Sequence, residues 1–218
     1  TKGWIFLSAD LHCHTRLSNG SLGIEDLILL AKKRNIGTIA ITDLDCLAGT
    51  VRGKIIGERM GVKVIPGVEL SATDKTNGQE IHLICYLPDF PDRLEGLCSR
   101  NSQLRKRSSH FMMLKVAQRY PITTEFIVKC ASGSTNVYKV HIMQALIEMG
   151  FTDKIYSELY DELFHPESEK SINHSPEYQD VFEVLTAIHE AGGVAISPLT
   201  LSNVRLKSSL APSSVYAT

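Results

Sequence analysis

His12 and His14 stand one residue apart in Asp10-Leu11-His12-Cys13-His14, just after the apolar run Ile5-Phe6-Leu7. Residues i and i+2 of an extended chain share a side. Two imidazoles on one side, where a strand becomes a loop, can share one metal ion. Taken alone, such a pair is as readily two polar loop histidines. Its company raises the chemical reading. Asp43 and Asp45 follow an apolar stretch, Glu69 follows another, and His82 sits inside a third. Imidazole and carboxylate donors suit Zn, Mn and Fe.

The elements that must position these residues follow from periodicity. Trp4 to Leu7 reads as a buried strand. Ser18-Asn19-Gly20-Ser21 is turn chemistry, with Ser21 or a neighbour able to cap a helix. Ile24, Leu27, Ile28 and Ala31 recur at helical spacing. Thr38 to Ile41 predicts a second strand, Gly49 to Met60 a helix, Val62 to Ile65 a third strand and Glu80 to Tyr86 a fourth. Strands alternating with helices predict a parallel α/β arrangement, open or closed into a barrel. Functional groups in such folds gather at the carboxyl ends of strands. His12, His14, Asp43, Asp45 and Glu69 are all expected there.

From Asp92 to Ser175 helices dominate: Leu94 to Arg119, Thr124 to Ala131, Val137 to Met149 and Asp153 to Phe164. A helix through Val181, Leu185 and Ile188 then leads to Gly192-Gly193 and an apolar strand, Val194 to Ile196. The tail from Pro198 has no clear period. The expected organisation is a first barrel part over 1–91, a helical insertion over 92–175, and a return to the barrel plus an irregular tail over 176–218.

The 218 residues are 43% hydrophobic and 22% charged, with a net charge of −1. That is globular composition with enough apolar material for a core. It carries no global electrostatic signature of long nucleic acid or an anionic membrane. No stretch is long and apolar enough to span a bilayer, and no signal-peptide pattern opens the chain. Five scattered cysteines without a C-x-x-C pair fit reduced thiols and a cytoplasmic location. The chain begins at Thr1, not Met, which leaves room for residues upstream.

The ordered series Asp10-Leu11-His12-Cys13-His14-Thr15, Ser18-Asn19-Gly20, Ile41-Thr42-Asp43-Leu44-Asp45, Pro66-Gly67-Val68-Glu69-Leu70-Ser71 and His82 resembles the PHP (polymerase and histidinol phosphatase) family. With the helical insertion and Ala191-Gly192-Gly193-Val194-Ala195, it is similar to the branch of stand-alone phosphoesterases that includes nucleoside 3',5'-bisphosphate phosphatases. The resemblance implies an α/β fold: a distorted (β/α)7 barrel, incomplete over this chain, with a helical insertion. It implies two or three divalent metals (Mn, Zn or Fe) and hydrolysis of a phosphate ester of a small metabolite or nucleotide. His12, His14 and Glu69 would hold one metal. Glu69, His82 and His141 would hold a second, with Glu69 bridging. Asp43 and Lys139 are the expected catalytic groups, and Arg100, Arg105 and Lys139 the expected phosphate binders. Asp43 and Asp45 are also readable as carboxylates that hold histidines in place.

The departures are equally specific. The family has Asp where this chain has Asn19, and His where it has Leu44 and Ser197; Lys139 replaces an arginine and loses its fork. A late Asp-x-His pair is not found before Thr218. One of the expected metal sites is therefore depleted, unless Asp43, Asp45 or His174 compensates. The rival expectation is a catalytically impaired protein that binds a nucleotide or a protein partner.

Overall fold

Residues 8–197 are described by a computed structural model. Among these residues five strands form one sheet in sequence order: β1 (Ser8–Cys13), β2 (Ile36–Ile41), β3 (Lys63–Asp74), β4 (Gln79–Tyr86) and β5 (Val194–Ile196). The strand expected at Trp4 to Leu7 lies outside the described residues. Strand β1 carries His12 within it, with a register shift between Asp10 and Cys13. Such irregularities bend a strand and re-aim its side chains.

The first half is built as periodicity predicts. β1, β2 and β3 run parallel, joined through α1 (Ile24–Lys33) and α2 (Thr50–Met60). Ile24, Ile28 and Ala31 of α1 are buried against Ile39, Ile41, Val62 and Val64. Helix α2 approaches the sheet more closely because Gly53 and Gly57 face it. A side chain at Gly57 would collide with Val64 and the Val62 carbonyl.

The wholly parallel expectation fails at β4, which runs antiparallel to β3. Four residues separate the two strands, far too few for a parallel crossover. Asp74 closes the turn: its side chain accepts from the Thr76 N–H and hydroxyl, and Gly78 adopts φ +73°. The Asn77-Gly78 pair is the sequence signal for that hairpin. Strand β5 adds antiparallel to β4.

Strand β3 is also longer than predicted. It pairs with β2 over Lys63 to Pro66 and with β4 over Gly67 to Asp74. Pro66 therefore marks a change of partner, not a strand end, and Glu69 lies mid-strand. Period-2 alternation sends Val68, Leu70 and Ala72 into a core with Ile81, Leu83, Cys85 and α7 (Val181–Glu190). Glu69, Ser71 and Thr73 face the other way.

The insertion consists of α3 (Asp92–Arg119), α4 (Thr124–Cys130), α5 (Lys139–Glu148) and α6 (Glu158–Phe164). Thr123 and Ser157 cap α4 and α6 through their hydroxyls. Helix α3 serves two cores: Leu94, Leu97 and Cys98 pack with the sheet, while Met112, Met113 and Val116 join Ile142, Leu146 and Leu163. One helix thus belongs to both cores. No helix among the described residues is long and apolar enough to cross a membrane. The tail from Pro198 lies outside the described residues.

Candidate metal centre and active site

Three donor atoms converge at the end of β1. His12 Nε2 lies 3.0 Å and His14 Nε2 2.9 Å from Glu69 Oε2, and the two nitrogens are 3.1 Å apart. Three such donors crowded together repel unless a proton or a cation sits among them. With metal–ligand bonds of about 2.0–2.2 Å, adjacent donors on one ion lie roughly 2.8–3.6 Å apart. The observed triangle fits that requirement. Among the described residues this is the group of His, Cys, Asp and Glu side chains arranged to hold an ion.

The sequence folds locally to aim these rings. The turn after His14 is held by Gly20 N–H donating to the Thr15 carbonyl at 3.0 Å. A side chain at Gly20 would collide with the His14 carbonyl. Ser18 donates to Asp43 Oδ1 at 2.6 Å, so its oxygen can accept from His14 Nδ1, 3.3 Å away. That relay turns His14 Nε2 toward Glu69, where it can carry a proton or bind a metal ion. Asp43 also accepts from the Thr15 N–H and hydroxyl, both at 2.7 Å. It is 1% exposed, and its oxygens are committed to this turn. Asp43, expected as a catalytic group, faces Thr15 and Ser18 and is not among the residues that line the cavity.

The loop Thr42 to Asp45 is sewn to β3. Glu69 N–H donates to the Asp43 carbonyl and Asp45 N–H to the Glu69 carbonyl. Leu44 lines the cavity, while Asp43 and Asp45, the latter in a left-handed conformation with φ +51°, do not. Asp45 accepts from the Ser71 N–H and hydroxyl, from Asn101 Nδ2 at 2.7 Å and from Arg105 at 2.9 Å. It therefore ties α3 to the sheet beside Glu69.

The other oxygen of Glu69 faces a different partner. His82 Nδ1 lies 3.4 Å from Glu69 Oε1, is buried and has no hydrogen bond. His82 Nε2 lies 3.5 Å from Glu80. Burial pushes the Glu69 carboxyl upward, but hydrogen bonds from His14 and His12 and the charge of His82 outweigh it and hold the carboxyl down at about 2. Burial lowers the His82 pKa, and the neighbouring Glu80 and Glu69 reverse that and raise it. Glu69 is thus placed between two sets of nitrogen donors.

These groups line an open cavity of about 520 Å³. Arg105 and Lys139 line it too. Arg105 lies over the rings of Tyr138 and Tyr178, at 5.2 and 5.4 Å. Lys139 lies over Phe164 at 5.6 Å, and burial pulls its pKa below the usual lysine value.

Two expected residues fall elsewhere. Arg100 donates to Gln179 at 3.0 Å and does not line the cavity. His141 caps its own helix: Nδ1 accepts the Tyr138 N–H at 3.1 Å. Burial lowers its pKa and favours the neutral ring, whose proton then sits on Nε2. No lone pair remains for a metal in that arrangement. Asn19 and Leu44, standing where the resemblance places ligands, do line the cavity. Glu80, His174 and four tyrosines (138, 156, 160 and 178) are among its other lining residues. Glu80 was detectable as the i−2 neighbour of His82 on a strand. The aromatic wall joins distant segments, and only the spacing of Tyr156, Tyr160 and Phe164 hints at it.

The profile of one protein family, the PHP domain, matches residues 10–197. The chain is 29% identical over 189 residues to a phosphoribosyl 1,2-cyclic phosphate 1,2-diphosphodiesterase of Eggerthella lenta, covering 86% of this chain and 71% of that protein. It is 25% identical over 187 residues to a 5'-3' exoribonuclease of Haemophilus influenzae, covering 86% and 66%. A crystal structure of a metal-dependent phosphoesterase candidate from Bifidobacterium adolescentis superposes with a TM-score of 0.77 at 23% identity, over 88% of this chain and 66% of that one. That likeness shows a shared fold. The chain spans about two thirds of the length of these proteins.

Proposed function

The chain belongs to the PHP family, and from that premise we propose that it is a metal-dependent phosphoesterase acting on a small phosphorylated substrate. The observation that carries the proposal is the triangle of His12, His14 and Glu69 at 2.9–3.1 Å beside two cationic side chains in one cavity. A divalent ion bound there supplies Lewis acidity toward phosphoryl oxygen and lowers the pKa of water.

The protein's own groups divide the remaining work. His12 and His14 present nitrogen lone pairs, the second one aimed through Ser18 and Asp43. Glu69 presents one oxygen to that pair and the other toward His82, which supports a carboxylate shared between two ion positions. Arg105 is held by Asp45 and Ser71 and brings fixed positive charge to the cavity, where Lys139 adds a second cation. These groups orient the non-reacting oxygens of a phosphate ester. The donor set suits Mn, Zn or Fe.

Asn19 and Leu44 favour fewer ions than the three of a full set. A neutral amide and an alkyl chain stand where two further donors are expected, so the reading is one ion at His12, His14 and Glu69, with a second, weaker one beside His82. Assays of phosphate release with and without added Mn or Zn test the proposal. The expected result is metal-dependent hydrolysis that Glu69→Gln reduces by more than about 100-fold, the upper figure for losing an outer-shell partner of a metal site. Leu44→His and Asn19→Asp test the alternative: large activity only in the reverted protein marks the parent as catalytically impaired.

A further inference from the structure

We propose that Tyr178, together with Tyr138, is a positioning residue for Arg105: the two rings hold its guanidinium so that one terminal nitrogen, Nη1, faces the cavity as a fixed donor to an anion. The inference rests on the phosphoesterase reading and adds to it two residues that act through a third.

Tyr138 and Tyr178 are buried, at 6% and 2% exposure. Neither belongs to the three hydrophobic clusters found among the described residues. Their ring faces meet a cation instead. The guanidinium carbon of Arg105 lies 5.2 Å from the centre of the Tyr138 ring and 5.4 Å from that of Tyr178. Such contacts are strongest where water is kept away, as it is here.

Hydrogen bonds alone leave Arg105 loosely specified. Nη2 donates to Asp45 Oδ2 at 2.9 Å and to the Ser71 hydroxyl at 2.6 Å. Nε is buried and has no partner. A planar group pinned at one corner can still swing about that corner, and ring faces packed on it oppose the swing. Both hydrogen bonds pass through Nη2, which leaves Nη1 to face the cavity that Arg105 lines.

The rings are themselves anchored through the backbone. The Tyr178 N–H donates to the Thr73 hydroxyl at 2.9 Å, and the Thr73 N–H donates to the Gln179 carbonyl at 2.9 Å. Tyr178 is thereby fastened to the end of β3. The Tyr138 hydroxyl donates to the Leu44 carbonyl at 3.3 Å. Tyr138 is also the N-cap of α5, directly before Lys139, so one ring borders both cations of the site. The Tyr178 hydroxyl, by contrast, is buried without a hydrogen-bond partner. A buried hydroxyl that serves the fold is paired, so the work of this residue lies in its ring.

Hydrolysis of para-nitrophenyl phosphate by the Mn-loaded chain, with calorimetric titration of inorganic phosphate, tests the clamp. A group that binds the non-reacting oxygens in ground and transition state alike acts on KM. Tyr178→Met fills the space without a ring face. It should raise KM and the phosphate Kd about ten-fold, with kcat within about two-fold and bound metal unchanged. Tyr138→Met should do the same, and serves if the first variant does not fold. Tyr178→Phe keeps the ring and should restore both constants to those of the parent. Arg105→Lys keeps a charge beside Asp45 but loses the planar group, so in that background Tyr178→Met should add less than about two-fold. A full ten-fold loss in the Arg105→Lys background, a Phe variant as weak as the Met variant, or a Met variant equal to the parent overturns the inference. If the ester is not hydrolysed, the phosphoesterase reading fails, and phosphate titration across the same variants still decides the clamp. A parent that binds no phosphate overturns it.

Discussion

On the sheet side of the cavity, His14 is aimed by Ser18 and Asp43, which are 0% and 1% exposed, and Glu69 is 7% exposed. On the helical side, Tyr156 is 71% exposed and held by ring contacts. The first region is fixed by hydrogen bonds inside a low-dielectric interior, where a misplaced donor is costly. The second is fixed by apolar packing behind an open face. Arg105 joins the two: it sits on α3, lies between two tyrosines and is bonded to Asp45, which is itself bonded to β3. In the proposed function the sheet side holds the ion, and Arg105 and Lys139 face it across the same cavity.

Breaking the joint should have the largest effect. Asp45→Ala leaves Arg105 buried without its carboxylate and should cost about 3–5 kcal/mol of stability, measured by urea unfolding. A loss below about 1 kcal/mol contradicts the coupling of the two regions. Asp43→Asn is next. It keeps the shape but weakens the acceptor for Ser18, and metal affinity should fall by about 10–100-fold, with activity restored at high metal concentration. An unchanged affinity removes Asp43 from the positioning of His14.

The electrostatics of Glu69 sharpen the comparison further. Its folded pKa, about 2, lies below the ordinary 4.5. A depressed carboxyl stabilises the fold fully above the unfolded value, and that contribution is lost as pH falls through the folded one. In metal-free protein the stability gap between the parent and Glu69→Gln should therefore shrink as pH drops from 5 toward 2, by roughly 2–3 kcal/mol in all. A gap independent of pH contradicts the histidine–carboxylate cluster. Arg100→Ala is the smallest change: its guanidinium bonds Gln179 at an exposed site, so stability should move by less than about 0.5 kcal/mol and activity by less than two-fold.

How much of this was legible in the sequence depended on range. The histidine pair, Glu69 and His82 were readable because each sits on or directly after a strand whose neighbours alternate. Their meeting was not derivable from periodicity, since it needs β3 to run on past Pro66 and β4 to return antiparallel. Both events are written locally, in Glu69-Leu70-Ser71 alternation and in Asn77-Gly78, but they were outweighed by the proline and by the alternating pattern of the first three strands. His141 shows a different limit. Its spacing on a helix suits a ligand, while its Nδ1 is taken by the backbone N–H three residues before it, a choice the ring makes only once the helix start exists. The tyrosines of the cavity come from four separate places, the start of α5, the approach to α6, α6 itself and the strand-like return before α7. No pattern within one segment encodes their convergence.

The central claim is that His12, His14 and Glu69 hold a divalent ion. Elemental analysis of the purified chain, paired with calorimetric titration of Mn or Zn into chelator-treated protein, tests it directly in the parent and in a His12→Ala, His14→Ala double variant. The account predicts one tightly bound equivalent in the parent, lost in the double variant while its circular dichroism is unchanged. A parent that binds no metal, or a double variant that binds it as tightly as the parent, contradicts it.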